Sequence, residues 1–132
     1  MNRITFLKFW SIAVGSMDAV TGLLLIAAPA LVLRMLGIAP PSADALVFLS
    51  WMGVFITAVG LSYAMALGRR SRGETVWAFT AIVRILVALF LLAKILGGIL
   101  PIPWGIVGLS DAVVGGIQIA ILRMGWWKEV PE

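Results

Sequence analysis

The sequence predicts an all-α fold: an integral membrane, antiparallel four-helix bundle with both termini in the cytoplasm. The first observation behind this prediction is composition. Of the 132 residues, 62% are hydrophobic and only 12% are charged, against about 25% charged in a soluble domain. The second is that four apolar stretches exceed the ~20 residues needed to cross a bilayer. The third is that basic residues occupy alternate connections between those stretches. We interpret residues 1–132 as a single transmembrane domain.

The four predicted spans are helices, because in lipid only a helix satisfies its backbone hydrogen bonds within one segment. Their approximate ranges are 6–33, 45–67, 75–96 and 102–124. The first span exits through Gly37, before Pro40 and Pro41, and Ser42 or Asp44 is the predicted cap of the second. The charged run GRRSRGE predicts a turn before the third span, and the run GGILPIP predicts a turn before the fourth.

Lysine and arginine residues set the predicted orientation, since the cytoplasmic connections of membrane proteins are the basic ones. The N-terminal segment, the middle connection and the C-terminal segment carry basic residues, whereas GIAPPSAD and GGILPIP carry none. The basic residues concerned are Arg3, Lys8, Arg69, Arg70, Arg72, Arg123 and Lys128. Both termini and the middle connection are therefore predicted to lie inside, and we expect the membrane to be a bacterial cytoplasmic membrane.

Tryptophans lie near the ends of the predicted spans, where aromatic belts meet the two membrane surfaces. Trp10, Trp77, Trp126 and Trp127 fall near inner ends, and Trp104 falls near an outer end. We therefore expect these side chains to be interfacial. The C-terminal run GWWKEVPE is predicted to be an amphipathic anchor on the inner surface.

Each predicted helix carries a stripe of small or polar residues at spacings of three and four, which is the spacing of one helical face. Small residues mark where membrane helices approach closely, whereas apolar residues can face lipid. We expect the four stripes to face one another. The predicted packing glycines are Gly15, Gly22, Gly53, Gly60, Gly108 and Gly115. The candidate polar residues that line the interior are Ser11, Thr57, Thr80 and Gln118.

Two similar nine-residue runs, VGSMDAVTG and VGLSDAVVG, each place an aspartate inside an apolar span. Asp18, Arg84 and Asp111 lie ten to twelve residues from the charged inner ends of their spans, or ~15–18 Å at ~1.5 Å per residue. Charge near the bilayer midplane is costly, so such residues face the interior and pair with one another. Because Arg84 is the only basic residue at this depth, the sequence predicts an Asp18–Arg84–Asp111 cluster.

The predicted cluster contains two carboxylates and one guanidinium, a surplus of one negative charge that a proton held by one aspartate would cancel. Three interpretations stay open. The cluster is an ion network that fixes the packing of the helices, or a functional site for a proton, a cation or a polar head group. In the third interpretation, one of its charges pairs with a partner subunit.

The chain contains neither histidine nor cysteine. This composition excludes disulfides, thiolate metal sites and ligation of haem or metal by imidazole. The serines have no histidine to activate them, and no nucleotide-binding or metalloprotease motif occurs. We therefore expect no metal, no cofactor and no catalytic residue, and we do not expect an enzyme. The net charge of +4 is concentrated in particular loops, so it does not indicate nucleic acid as a partner.

The first span and its exit, VGSMDAVTGLLLIAAPALVLRMLG, combine Gly15 and Gly22 with a leucine-rich run, Pro29 and a final Leu36 and Gly37. In these features the stretch resembles the opening of small bacterial four-helix membrane proteins of the DoxX-like kind. The resemblance implies a four-helix membrane fold and, through the protein that names the family, an association with quinone-linked thiosulfate oxidation. It implies no catalytic residue, because no functional motif of that family matches here.

Two functions from different classes follow from these features. The first is a non-catalytic accessory or structural subunit of a larger respiratory or photosynthetic membrane complex, because the chain has short loops and no redox ligand. The alternative is a small membrane carrier or binding protein for a proton, cation, quinone or lipid. It would use the midplane cluster, since ionisable residues within a membrane are candidates for function. The expected partners are membrane lipids and either other membrane subunits or further copies of this chain.

Overall fold

The computed structural model describes all 132 residues and confirms the all-helical class, with no β-strand. The α-helices are α1 (Arg3–Ala27), α2 (Pro29–Met35), α3 (Ala43–Ser62), α4 (Arg70–Leu96) and α5 (Gly105–Arg123). Three 3-10 segments adjoin them: Tyr63–Leu67 after α3, Ile102–Trp104 before α5, and Trp126–Glu129 in the C-terminal tail. Four helical segments are long and apolar enough to cross a membrane, namely α1, α3 with its 3-10 extension, α4, and α5 with the 3-10 turn before it.

The first predicted span, 6–33, is wrong as a single helix, because the helix breaks at Ala28. The backbone there has φ −149° and ψ 63°, which lies outside the helical region. Pro29 lacks an amide hydrogen, and its ring disfavours the helical conformation at the preceding residue. α1 therefore ends at Ala27, and Pro29 opens α2 at the first helical position, where its missing N–H group is not needed.

The third span begins earlier than the sequence predicts, since α4 starts at Arg70 rather than at residue 75. The last five residues of GRRSRGE are therefore helical. They include an ion pair one turn apart, in which Arg70 Nε donates to Glu74 Oε1 at 3.2 Å. The start of α3 agrees more closely with the sequence, because Ser42 Oγ accepts a hydrogen bond from the Ala45 amide at 3.4 Å.

α1 packs along α3 through glycine faces that bring the two backbones into contact. A Cβ added at Gly15 would lie 2.7 Å from Tyr63 Cβ and 2.8 Å from the Gly60 carbonyl oxygen. One added at Gly53 would lie 2.7 Å from the Gly22 carbonyl oxygen. Backbone atoms this close leave no room for a side chain, so these glycines set the separation of the two helices.

α5 packs along α4 less tightly than α1 packs along α3. Gly108 and Gly115 are both buried, as the stripe predicts. A Cβ at Gly115 would lie 3.2 Å from Arg84 Cβ, which is a tight contact. A Cβ at Gly108 would lie 3.5 Å from Leu91 Cβ, which is ordinary van der Waals contact. Glycine is therefore less strictly required at Gly108 than at the four positions between α1 and α3.

The α1–α3 pair and the α4–α5 pair meet at the end of the molecule that carries both termini. Arg3 Nη1 donates to Glu129 Oε1 at 2.5 Å, and the segment Trp126–Glu129 contacts α1, α4 and α5. A hydrophobic core lies at this end, made of Leu7, Val14, Tyr63, Ala66, Val76, Trp77, Ile121, Trp127 and Val130. No stretch of α1 or α3 runs backbone to backbone against α4 or α5. Side chains and the 3-10 segments therefore make the remaining connections between the pairs.

The C-terminal tail folds back onto α4, and its place at the inner membrane surface stays a prediction. Trp77 and Trp127, both expected at the membrane surface, are buried, and their ring centroids lie 5.4 Å apart edge to face. Gly73 makes this possible, because a Cβ there would overlap the Trp127 ring. The Arg70 amide donates to the Pro131 carbonyl oxygen at 3.1 Å and holds the end of the tail in place. The two indoles thus pack against each other inside the protein.

Candidate functional site

Three charged side chains meet in the interior. Arg84 Nη2 donates to Asp18 Oδ2 at 2.5 Å, and Arg84 Nη1 donates to Asp111 Oδ1 at 2.6 Å. Arg84 is only 4% exposed. Asp18, Arg84 and Asp111 belong to α1, α4 and α5 respectively. The structure therefore brings together the three charges that the sequence singles out, and this charge cluster joins the α1–α3 pair to the α4–α5 pair.

The two repeated runs place their aspartates in similar packing environments. In each run the aspartate precedes a glycine by four residues, which is one helical turn. Gly22 lets α1 approach α3, and Asp18 reaches from α1 to α4. Gly115 lets α5 approach α4 so closely that Arg84 Cβ packs against it, and Asp111 meets the same arginine from there. Each copy of the repeat thus supplies one aspartate to the same guanidinium, that of Arg84.

The charge cluster is not saturated with hydrogen bonds, and its formal charges do not balance. Its two carboxylates and one guanidinium carry a net charge of minus one when all three are ionised. Arg84 Nε is buried and has no hydrogen-bond partner. The Asp18 side chain is 12% exposed and the Asp111 side chain 18% exposed. The cluster can therefore bind one further positive charge, and Arg84 Nε can donate to one further hydrogen-bond acceptor.

A second group of polar side chains lies beside the charge cluster and centres on Gln118, which is completely buried. The Tyr63 hydroxyl donates to Gln118 Oε1 at 2.8 Å. Gln118 Nε2 donates to Thr80 Oγ1 at 2.9 Å and to the Trp77 carbonyl oxygen at 3.2 Å. This Gln118 network, made of Tyr63, Trp77, Thr80 and Gln118, ties α5 to α4 and to the segment that follows α3.

The other two candidate polar residues have different roles. Ser11 is buried, and its Oγ accepts from Trp77 Nε1 at 2.9 Å and donates to the Leu7 carbonyl oxygen at 2.8 Å. Thr57 Oγ1 donates to the Gly53 carbonyl oxygen of its own helix at 2.8 Å. Ser11 therefore connects α1 to α4, whereas Thr57 belongs to the contact between α1 and α3.

Sequence reasoning missed Tyr63, which is buried and donates a hydrogen bond to Gln118. Tyr63 is the only tyrosine of the chain and follows Gly60 by three residues. It therefore lies near the glycine face of α3, and this spacing is the signal that could have identified it. Gly73 was also missed, because it lies in a charged run that predicts a turn.

α3 is the least buried of the four long helices, since only Gly53 and Gly60 are buried within it. Its exposed side carries three aromatic rings in a row. The centroids of Phe48 and Trp51 lie 6.4 Å apart, and those of Trp51 and Phe55 lie 6.0 Å apart. This aromatic ladder, Phe48, Trp51 and Phe55, makes no contribution to the hydrophobic core of the chain.

No three histidine, cysteine or carboxylate side chains are grouped so that they could hold a metal ion. No protein-family model, curated protein or solved structure matches this chain. The resemblance of the first span to DoxX-like proteins stays a prediction. The function is therefore inferred from the chain's own geometry.

Proposed function

We propose that this chain is a non-catalytic accessory subunit of a larger membrane assembly of the respiratory or photosynthetic kind. The observation that carries the proposal is that the polar groups of its interior bind one another. Arg84 engages both aspartates, while Gln118 and Ser11 bind groups on neighbouring elements. Such an interior braces helices against each other, whereas an enzyme presents an acid, a base or a nucleophile to a substrate.

The aromatic ladder of α3 favours the proposal that this chain binds a partner subunit. Large aromatic side chains contribute much of the binding energy at protein interfaces, and the ladder is not used within this chain. We place a helix of the partner against the ladder. Lipid covers the remaining apolar surface, which can face the bilayer without penalty.

We further propose that the four long helices form an antiparallel bundle in a bacterial cytoplasmic membrane, with both termini in the cytoplasm. The basic residues of both terminal segments and of the segment Arg69–Arg72 support this orientation. The ion pair between Arg3 and Glu129 supports it as well, because it holds the two terminal segments at one end of the molecule.

Single cysteines introduced as Ser42→Cys and Ser71→Cys are expected to react with a membrane-impermeant thiol reagent from opposite sides of the membrane. Both serines are exposed, and the chain contains no cysteine of its own. In intact cells Ser42→Cys should be labelled, and Ser71→Cys should be labelled only after the membrane is opened. Labelling of both variants from the same side would rule out this topology.

The tagged chain, extracted from its native membrane in mild detergent, is expected to copurify with other membrane subunits at a fixed ratio. Phe55→Ala should reduce the recovery of those subunits several-fold, because it removes one ring of the ladder. The matched control is Phe79→Ala on α4, since both phenylalanines are 59% exposed. Recovery of the chain alone, as a monomer or small homo-oligomer, would contradict the accessory function.

A second candidate function is a small carrier or binding protein for a proton, cation, quinone or lipid. The observation that favours it is the surplus negative charge of the cluster, combined with the partial exposure of Asp111. Ionisable groups within a membrane are rare, and they mark ion and proton pathways in many transporters. This candidate predicts that the chain retains its ligand after purification away from any partner.

A further inference from the structure

We propose that Asp18 and Asp111 together bind one exchangeable proton at neutral pH, so that the charge cluster is a single-proton site. The inference rests on the second candidate function and names its ligand. It also specifies the number of protons, which follows from the charges that the structure brings together.

The charge balance of the cluster requires one further positive charge. Arg84 contacts one oxygen of each aspartate and neutralises one carboxylate, but the second negative charge remains. A net charge in an interior of low dielectric is unfavourable unless it is compensated. No other basic residue lies at this depth in any of the four long helices, so the compensating charge must come from outside the chain.

A proton fits the site better than a metal ion does. The guanidinium lies 2.5 Å from one carboxylate and 2.6 Å from the other, so a second cation between the acids would be repelled by Arg84. A metal ion also needs several ligands, and no group of three suitable side chains is present. A proton needs only one oxygen atom, and it leaves the contacts with Arg84 in place.

Arg84 provides the second, independent observation. This side chain is 4% exposed, and its Nε–H group has no partner. A buried donor is unfavourable unless an acceptor binds it, so the site suits an oxygen-bearing molecule such as water beside the guanidinium. The same molecule can deliver the proton. An O–H bond of a hydronium ion breaks, an O–H bond forms on one aspartate oxygen, and a water molecule remains.

The groups that surround the site are compatible with a single titration. Asp18 comes from α1, Arg84 from α4 and Asp111 from α5, while the hydroxyl of Tyr63, in the segment after α3, binds Gln118. α3 itself adds no charge here, because its only ionisable residue, Asp44, lies in its first turn. Gln118 and Thr80 are polar neighbours that do not titrate.

Infrared difference spectroscopy between neutral and high pH, on the purified full-length chain in a detergent without ester groups, detects protonated carboxyl groups. The wild type is expected to show one protonated carboxyl group at neutral pH, with a band that shifts in D₂O and disappears at high pH. Asp18→Asn and Asp111→Asn should each show none, because one aspartate then balances Arg84. Arg84→Gln should show two. Asp44→Asn is the control and should match the wild type.

The wild-type spectrum tests the proposal even where a variant fails to fold. A folded wild type without a protonated carboxyl group at neutral pH would overturn it, and so would an Asp111→Asn variant that keeps the wild-type band. A carrier function is measured separately, as proton uptake into vesicles across a pH gradient. Absence of uptake with the band present would reject the carrier and leave the proton site. Neither measurement tests whether the chain copurifies with a host assembly.

Discussion

Replacing Arg84 alone by leucine is expected to destabilise the protein more than removing the whole charge cluster. The single change leaves Asp18 and Asp111 facing each other in the interior without a cation. Breaking one side of a buried ion pair costs ~3–5 kcal/mol, whereas replacing all of its members can be nearly neutral. The triple variant Asp18→Asn, Arg84→Leu, Asp111→Asn should therefore melt close to the wild type, and Arg84→Leu well below it.

The comparison is made by thermal unfolding of all variants in one detergent. Unfolding is followed by circular dichroism or by loss of the monodisperse peak in size-exclusion chromatography. Arg72→Leu is the control, because it removes an exposed arginine from the start of the same helix. An Arg84→Leu variant as stable as the wild type would mean that the guanidinium and the two carboxylates do not interact in the protein.

The triple variant also separates the two candidate functions. If the charge cluster only braces the helices, the triple variant should fold and still copurify with its host assembly. If the cluster is a proton or ligand site, the triple variant should fold yet lose proton binding or transport. The first candidate is therefore tested by copurification of the triple variant, and the second by its proton binding or transport.

Gly22→Leu is expected to cause the other large loss of stability, because it forces apart α1 and α3. Even a single Cβ at Gly22 would overlap Thr57 and would lie 2.6 Å from the Gly53 carbonyl oxygen. Inserting side-chain atoms into a packed interior typically costs ~1–3 kcal/mol, and a leucine at a contact between two backbones should reach or exceed the upper end. Gly115→Leu should cost less, since its nearest contact, Arg84 Cβ, lies 3.2 Å from the added Cβ.

Gly116→Ala provides the matched control for the glycine series. Gly116 lies within α5, and a Cβ added there meets nothing within 4 Å. Alanine is favoured over glycine in a helix by up to ~1 kcal/mol, so this variant should be as stable as the wild type or more stable. Gly22→Ala should be less stable than the wild type in the same detergent melt. Equal melting temperatures for Gly22→Leu and the wild type would contradict the close contact between α1 and α3.

Several features of this protein are determined by the sequence alone. Hydropathy determines that four helical segments are long and apolar enough to cross a membrane, because apolar runs of this length have few alternatives to a helix in lipid. The charges at Asp18, Arg84 and Asp111 predict their own contact, since one basic residue among two acids at one depth has no other partner. The three- and four-residue spacing of glycines likewise predicts which positions are buried.

Only the tertiary structure decided which helices pair and which apolar side chains are buried. Trp77 is buried while Trp51 is exposed, although both lie within apolar spans. In a soluble protein, apolar side chains tend to be buried, so hydropathy indicates which residues form the core. Lipid is as apolar as a protein interior, so in a membrane hydropathy does not distinguish a side chain that faces lipid from one that is buried. The outcome depends instead on complementary shape, such as the fit of the Trp127 ring against Gly73. Shape of this kind arises only when distant parts of the chain are brought together.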